Sequence, residues 1–201
     1  MSLLYMSNKL QIISVFSKND IIGLNIFVNS LLAQTNKNWL LNLIHNGVPT
    51  AETCNLISLY QTKCDLRFQY MAVDTGYWGH VNRKKLLDET NTSEGDFLLI
   101  TNHDSYYMPV MVEHGLNVFK EDIDLVYFDF IHSHQGYQYY HSEPFISKID
   151  WGAFITRTEV AKKSGLNNTT HYCADGIFLE DYKKVMTKGM VHIPLPLYVH
   201  N

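Results

Sequence analysis

The sequence predicts an α/β fold with a mixed, mainly parallel sheet and helices on both faces. Two observations carry this. Over the first hundred residues, short apolar runs alternate with helical stretches in the order strand, helix, strand, helix, strand, helix, strand, which favours parallel strands joined by crossover helices. No internal repeat, low-complexity tract or long linker interrupts the 201 residues, so one domain with a sizeable core is expected and no domain boundary is drawn.

Each element has a local cause. "LQIISVFS" (10–17) is apolar and β-branched, as a buried strand is. Asp20 can cap the helix that follows, in which Leu24, Phe27, Val28 and Leu31 share one face at i, i+3, i+4, i+7 spacing. "NWLLNLIH" (38–45) is a second strand closed by an Asn-Gly turn, and "PTAETCNLISLYQT" (49–62) a second helix with Thr50 as its cap. "LRFQYMAV" (66–73) is a third strand, "HVNRKKLLDET" (80–90) a helix with a basic face, and "DFLLI" (96–100) a fourth strand. The second half is less regular. A strand is expected at 123–132 with a hairpin partner within 136–145, then strand into helix at 152–157, a helix at 175–187, and two short strands, "MVHIP" and "LYVH".

Composition narrows the function classes. With 16 basic and 20 acidic residues the net charge is −4 and there is no basic stripe, which argues against a nucleic-acid partner. The three cysteines, Cys54, Cys64 and Cys173, form no C-x-x-C pair, so a reducing, cytoplasmic setting is expected, with room for peripheral contact with a membrane. The N-terminus lacks a signal-peptide pattern, and no stretch approaches the roughly 18 apolar residues of a membrane span.

Ligands of parallel sheets bind beyond the carboxyl ends of the strands. The fourth strand ends in "TNHDSYYMP" and so delivers Asn102, His103 and Asp104 to such an end. A carboxylate with an amide or imidazole can hold a divalent ion that keeps its waters and binds phosphate oxygens; the same residues also suit a strand-end turn. Neither GxGxxG nor GxxxxGK[ST] is present, so bound phosphates would need a metal and a few side chains such as Arg83. Lys84 and Lys85 read as a solvated helix face. Asp175, at the start of a helix, is a cap or a general base. His132, His134 and His141 read as a polar strand face, with a metal-chelating H-x-H as the alternative.

These pieces together resemble inverting glycosyltransferases of the family-2 type, with the GT-A nucleotide-sugar fold. "IISVFSKND" looks like the opening strand and donor loop, with Ser17 at its end. "SLLAQTNKNW" is similar to the stretch between the family's first helix and second strand. The segment 79–109 resembles the run from the family's basic helix into its D-x-D motif, "DWGAF" its acceptor-side glycine-aromatic motif, and "ADGIFLEDY" its acidic motif. The resemblance covers nearly the whole chain and implies a nucleotide-sugar-binding half (1–104) and an acceptor-binding half (105–201).

Carried over residue by residue, it implies that Asp104 binds Mn²⁺ or Mg²⁺ and that His200 completes the metal shell. It makes Asp175 the catalytic base, and Trp151, Gly152 and Ala153 the floor of the acceptor site. Ser17, Asn46, Arg83, Asn102 and His103 fall on the donor. Asn102 stands where the first acid of D-x-D is usual, and Asn46 where acids often bind the base. Tyr106 and Tyr107 either line the sugar pocket or pack under Pro109. The implied partners are a nucleotide-diphosphate sugar and a glycan, lipid-linked or other hydroxyl acceptor. A binding protein of the same fold without transfer activity is the alternative, motivated by Asn102. A nucleotidyltransferase and a histidine-centred metal protein rank lower.

Overall fold

In the computed structural model, residues 9–201 are described; the N-terminal segment read for a signal peptide lies largely outside them. Nine strands join one curled sheet in the order β3-β2-β1-β4-β8-β6-β9-β5, with β7 paired to β6, among the described residues. The first part is parallel: β1 (Leu10–Ser17) lies between β2 (Trp39–Asn46) and β4 (Phe97–Asn102), and β3 (Leu66–Tyr70) flanks β2. The crossovers are α1 (Ile21–Leu32), α2 (Ala51–Gln61) and α3 (His80–Glu89). Residues 10–16 of β1 are all buried. Successive side chains point to opposite faces, so both faces of the sheet are covered at its centre.

The predicted caps form. Asp20 accepts from the Gly23 N–H at 3.0 Å and Thr50 from the Thr53 N–H at 3.2 Å, each contributing about 1 kcal/mol. Leu24, Phe27, Val28 and Leu31 are all fully buried, as their spacing requires.

The second half mixes directions. β6 (Ile123–His132) runs parallel to β9 (Gly189–His200) and antiparallel to β7 (Gln138–Tyr140) and β8 (Phe154–Arg157), and β8 runs antiparallel to β4. Two expectations are corrected by the structure. The hairpin partner expected within 136–145 shortens to three residues, because Ser142 is drawn off the ladder to donate to Asp129 from its N–H at 2.9 Å. The two late strands are one strand, β9, which keeps its pairing with β6 through register shifts beside Asp129 where Pro196 removes a donor. Two elements went unread: the two-residue β5 (Tyr106–Tyr107), antiparallel to β9, and α4 (Met111–Val118). The last helices are α5 (Thr158–Ser164) and α6 (Ala174–Val185).

Parallel register fixes where the site lies. Ser17 stands opposite Asn46, and Val15 opposite Asn102. The carboxyl ends of β1, β2 and β4 therefore share one edge.

Candidate active site

The strand ends are stitched together by their own side chains. Asn46 accepts at Oδ1 from Thr75 N (2.9 Å), Thr75 Oγ1 (3.0 Å) and Asn82 Nδ2 (2.9 Å), and donates to Asp74. It thus fastens the loop after β3 to the end of β2. The His103 ring meets the Val15 carbonyl (3.3 Å) through Nδ1 and the capping Asp20 carboxylate (3.1 Å) through Nε2, tying the end of β4 to the start of α1. Ser17 ends β1, and its carbonyl accepts from Asp20 N at 3.3 Å. Asn19 accepts from Thr50 N (2.8 Å) and Thr53 Oγ1 (2.9 Å), which locks the loop after β1 onto α2.

Arg83 is the buried charge at the centre, only 3% exposed. It donates through Nη1 to the Trp78 carbonyl at 2.6 Å and through Nη2 to Asn102 Oδ1, lies 3.2 Å from His80 Nδ1, and stacks over Trp151 at 5.8 Å. Burial pulls its pKa down to about 10, against the attraction of Asp150, Asp175, Tyr198 and Asp104. It remains a cation at neutral pH, and three carboxylates gather around it. His80 beside it is pushed down to about 4, by burial and then by Arg83, so it stays neutral.

Two of those carboxylates have opposite environments. Asp150 accepts from Gly152 N (3.1 Å) and Tyr198 Oη (2.8 Å) and pairs with His200 Nδ1 (2.9 Å). Burial works to raise its pKa, but these partners outweigh burial and hold it below the usual range. Asp175 is raised to about 7, first by burial and then by Asp150, against its own N-terminal amides and Arg83. An acid at that value is divided between its two forms near neutrality, as a general base requires.

Beneath Asp150 lies a buried pair of tyrosines. Tyr107 and Tyr198 stack at 5.3 Å, and Tyr107 Oη hydrogen-bonds with the Thr101 hydroxyl at 2.6 Å and lies 3.2 Å from the Gly152 carbonyl. A Cβ on Gly152 would run into the Tyr198 ring and come within 2.9 Å of Tyr107 Oη, so only glycine fits the turn. Of the two readings for Tyr107, packing is the one observed, while Tyr106 lines a shallow surface pocket with Asn25, Ile26 and Asn29.

The loop before α3 is unusual. Residues 76–79 all have positive φ (60°, 48°, 52° and 78°), including the non-glycines Tyr77 and Trp78. Left-handed tyrosine and tryptophan are strained and persist only where surroundings enforce them. One enforcing contact is the hydrogen bond from Arg83 to the Trp78 carbonyl.

Of the residues singled out from the sequence, Arg83, Asn102, Asp104 and Asp175 come together, with His200 brought in through Asp150. Trp151, Gly152 and Ala153 form a turn that is buried throughout. Lys84 and Lys85 pair with Asp88 and Glu89 on the outside of α3. His132 and His134 do not share a strand face, since His134 lies in the turn after β6; both rings approach His200, at 4.6 Å and 6.2 Å. His141 turns to Asp129 instead, which His192 also meets at 2.7 Å. Asp150 was missed. The signal for it was an acid directly before the Trp-Gly-Ala turn, where its carboxylate caps Gly152.

Two donor atoms bear on whether a divalent ion suits these residues. Asp104 Oδ1 is buried without a hydrogen-bond partner, an orphan that a cation would satisfy. His200 is oriented by a carboxylate on Nδ1, the arrangement usual for a metal-bound imidazole, which directs Nε2 to a ligand. Among the described residues no three His, Cys, Asp or Glu side chains converge as a metal-holding group. An ion held by Asp104 and His200 would have to take most of its ligands from phosphate and water.

No protein-family model matches the sequence, and comparison with curated proteins gives no match. Solved structures do match. The S. aureus TarS 1–349 structure in complex with UDP superposes with a TM-score of 0.78 at 15% identity, over 96% of this chain and 60% of that one. The same protein in complex with UDP-GlcNAc gives 0.77 at 14% identity, over 96% and 58%. The mannosyltransferase PcManGT from Pyrobaculum calidifontis, in complex with GDP-Man and Mn²⁺, gives 0.69 at 12% identity, over 98% and 57%. This chain thus spans less than two thirds of the length of these structures. At such identities the likeness is one of fold, and that fold is the GT-A fold expected from the sequence.

Proposed function

Proceeding from a GT-A fold, we propose that the chain is an inverting glycosyltransferase. It moves a sugar from a nucleotide-diphosphate sugar to an acceptor hydroxyl with help from Mn²⁺ or Mg²⁺. The observation that carries the reading is Asp175. It is a carboxyl poised at about 7, beside a buried arginine, at the edge where a parallel sheet presents ligands.

The donor lies across the ends of β1, β2 and β4, with its nucleoside over the stitched loops of Ser17, Asn46 and His103. Arg83, buried and held by Trp78 and Asn102, acts on the diphosphate through its charge as a fixed cation. Asp104 through Oδ1 and His200 through Nε2 would hold the divalent ion, which when bound neutralises charge on the diphosphate. The acceptor hydroxyl sits beside Asp175. As its oxygen bonds to the anomeric carbon, Asp175 takes its proton and the bond to the diphosphate breaks on the opposite face, so the configuration inverts. Trp151, Gly152 and Ala153 act from below, as a floor that fixes Asp150 and the Arg83 guanidinium. The unpaired Cys54, Cys64 and Cys173 favour a reducing, cytoplasmic setting. Among the described residues no helix is long and apolar enough to cross a membrane.

One observation favours a second reading, a nucleotide-sugar-binding protein without transfer: Asn102 gives its amide oxygen to Arg83 where a first acid would face a metal. Thermal unfolding against UDP, GDP and their sugars, with and without Mn²⁺, separates the two when followed by assay for donor hydrolysis. Ligand at about 100 times its dissociation constant stabilises by roughly 2.7 kcal/mol. A manganese-dependent shift with slow hydrolysis supports the transferase; a shift without hydrolysis supports the binder; no shift with any nucleotide removes both.

A further inference from the structure

The mouth of the site carries an aromatic pair that none of the steps above uses. Trp78 is 59% exposed and Tyr172 72% exposed. They come from distant parts of the chain, yet their rings meet edge-on with centroids 5.4 Å apart and planes at 75°. Single exposed aromatics are common; two that touch each other in the open, one on a strained backbone, are not accounted for by packing. Tyr77, next to Trp78, is also 54% exposed.

Trp78 is tied to the reacting groups through its backbone and ring neighbours, and Tyr172 through its place in the chain. The Trp78 carbonyl accepts from Arg83, and its ring lies 6.1 Å from His80, whose own ring is 6.2 Å from Trp151. Tyr172 stands three residues before Asp175. The edge-on contact leaves a face of the Trp78 indole unpaired by Tyr172.

The surroundings select the occupant. The segment 167–171 reads "NNTTH": amides, hydroxyls and an imidazole, with no lysine or arginine. An anionic membrane surface would call for basic residues here. A pyranose has one flat C–H face and a rim of hydroxyls, which matches a flat aromatic surface bordered by neutral polar groups. Resting on the glycosyltransferase reading above, we propose that Trp78 and Tyr172 form a platform for a pyranose ring of an oligosaccharide acceptor. The platform holds a sugar unit beside the one whose hydroxyl reaches Asp175.

Trp39 and Trp151 are buried, at 5% and 3% exposed, so an emission change present in wild type and lost in Trp78→Phe reports on Trp78. The test titrates wild-type protein with chitotetraose, cellotetraose and mannotetraose. Emission is followed in the wild type and Trp78→Phe, and affinity by calorimetry in wild type, Trp78→Ala, Trp78→Phe and Tyr172→Ala. The platform requires that one of these sugars shift the emission of the wild type and not that of Trp78→Phe. It also requires that its affinity fall about 10-fold in Trp78→Ala and less in Trp78→Phe, while the thermal shift with UDP or GDP stays as in wild type. Tyr172→Ala, which leaves the strained loop intact, carries the test should Trp78→Ala fail to fold. No emission change with any of the three sugars overturns the proposal. So does a nucleotide shift lost in Trp78→Ala, which would make the pair a base-stacking surface. Absence of nucleotide binding in the wild type would instead count against the transferase reading, leaving the sugar titration to judge the platform.

Discussion

The parallel half of the sheet, β3-β2-β1-β4, and the mixed half, β8-β6-β9, reach the same edge with different preparation. On the parallel side the polar side chains at the strand ends are spent on one another. Asn46 binds the next loop, His103 binds β1 and α1, and Asn102 binds Arg83. On the mixed side the acids are left with unequal partners: Asp150 has three and is held low, while Asp175 is raised to about 7. The contrast teaches a division of labour. On the proposed reading, one half is a fixed frame for a charged ligand and the other is tuned to move a proton.

The strongest way to break that division is Asp175→Asn. We expect transfer to fall by about 10²–10⁴-fold, measured as product release, while nucleotide still shifts the melting temperature. The pH profile sharpens the same point: wild-type kcat/KM should rise through pH about 7, as Asp175 loses its proton. Stability runs the other way. A carboxyl whose folded pKa lies above its unfolded value destabilises the native state increasingly from about pH 4 to about 7, and fully above that. Asp175→Asn should therefore match wild type near pH 3 and melt higher at pH 8. Equal activity in the variant would remove Asp175 as the base.

Next in size is Asp104→Ala. Its orphaned oxygen predicts that the manganese-dependent part of nucleotide stabilisation disappears while the metal-independent part, carried by Arg83, persists. Retention of the manganese increment would remove Asp104 as a ligand. Gly152→Ala addresses the floor alone. Its Cβ meets the Tyr198 ring, so overpacking of about 1–3 kcal/mol should lower the melting temperature by about 2–4 °C per kcal/mol. The smallest effect is expected of Lys84→Ala, whose partner is the exposed Asp88. A stability change within about 0.5 kcal/mol and unchanged nucleotide binding would confirm that the charge that matters on α3 is Arg83.

The two halves also differ in how far they can be read from sequence. The strands of the parallel half are short apolar runs and its first two helices carry caps at Asp20 and Thr50, so each element is signalled locally even though β1 pairs with the distant β4. The mixed half depends on partners far along the chain. β9 looks broken at Pro194 and Pro196, and only its pairing with β6 shows it to be continuous. α4 contains Gly115, which reads as a helix breaker. Its lack of a Cβ leaves room for the tip of the Ile155 side chain, which packs against that spot. Within the site, Arg83, Asp104 and Asp175 could be named because their local settings were unusual. Asp150 could not, since its partners Tyr198 and His200 return from 48 and 50 residues away. Trp78 and Tyr172 were unreadable for the same reason, as nothing local predicts that they meet.

The left-handed run at 76–79 has a consequence for anyone engineering this chain. Tyr77 and Trp78 each carry about 1–2 kcal/mol of backbone strain at their φ, which glycine would relieve in part, the rest being offset by the entropy glycine adds to the unfolded chain. A library screened for heat resistance alone would drift toward glycine at both positions. Any survivors made sturdier in this way would have discarded the aromatic surface at the mouth of the site. Thermostabilisation campaigns should hold those two codons fixed.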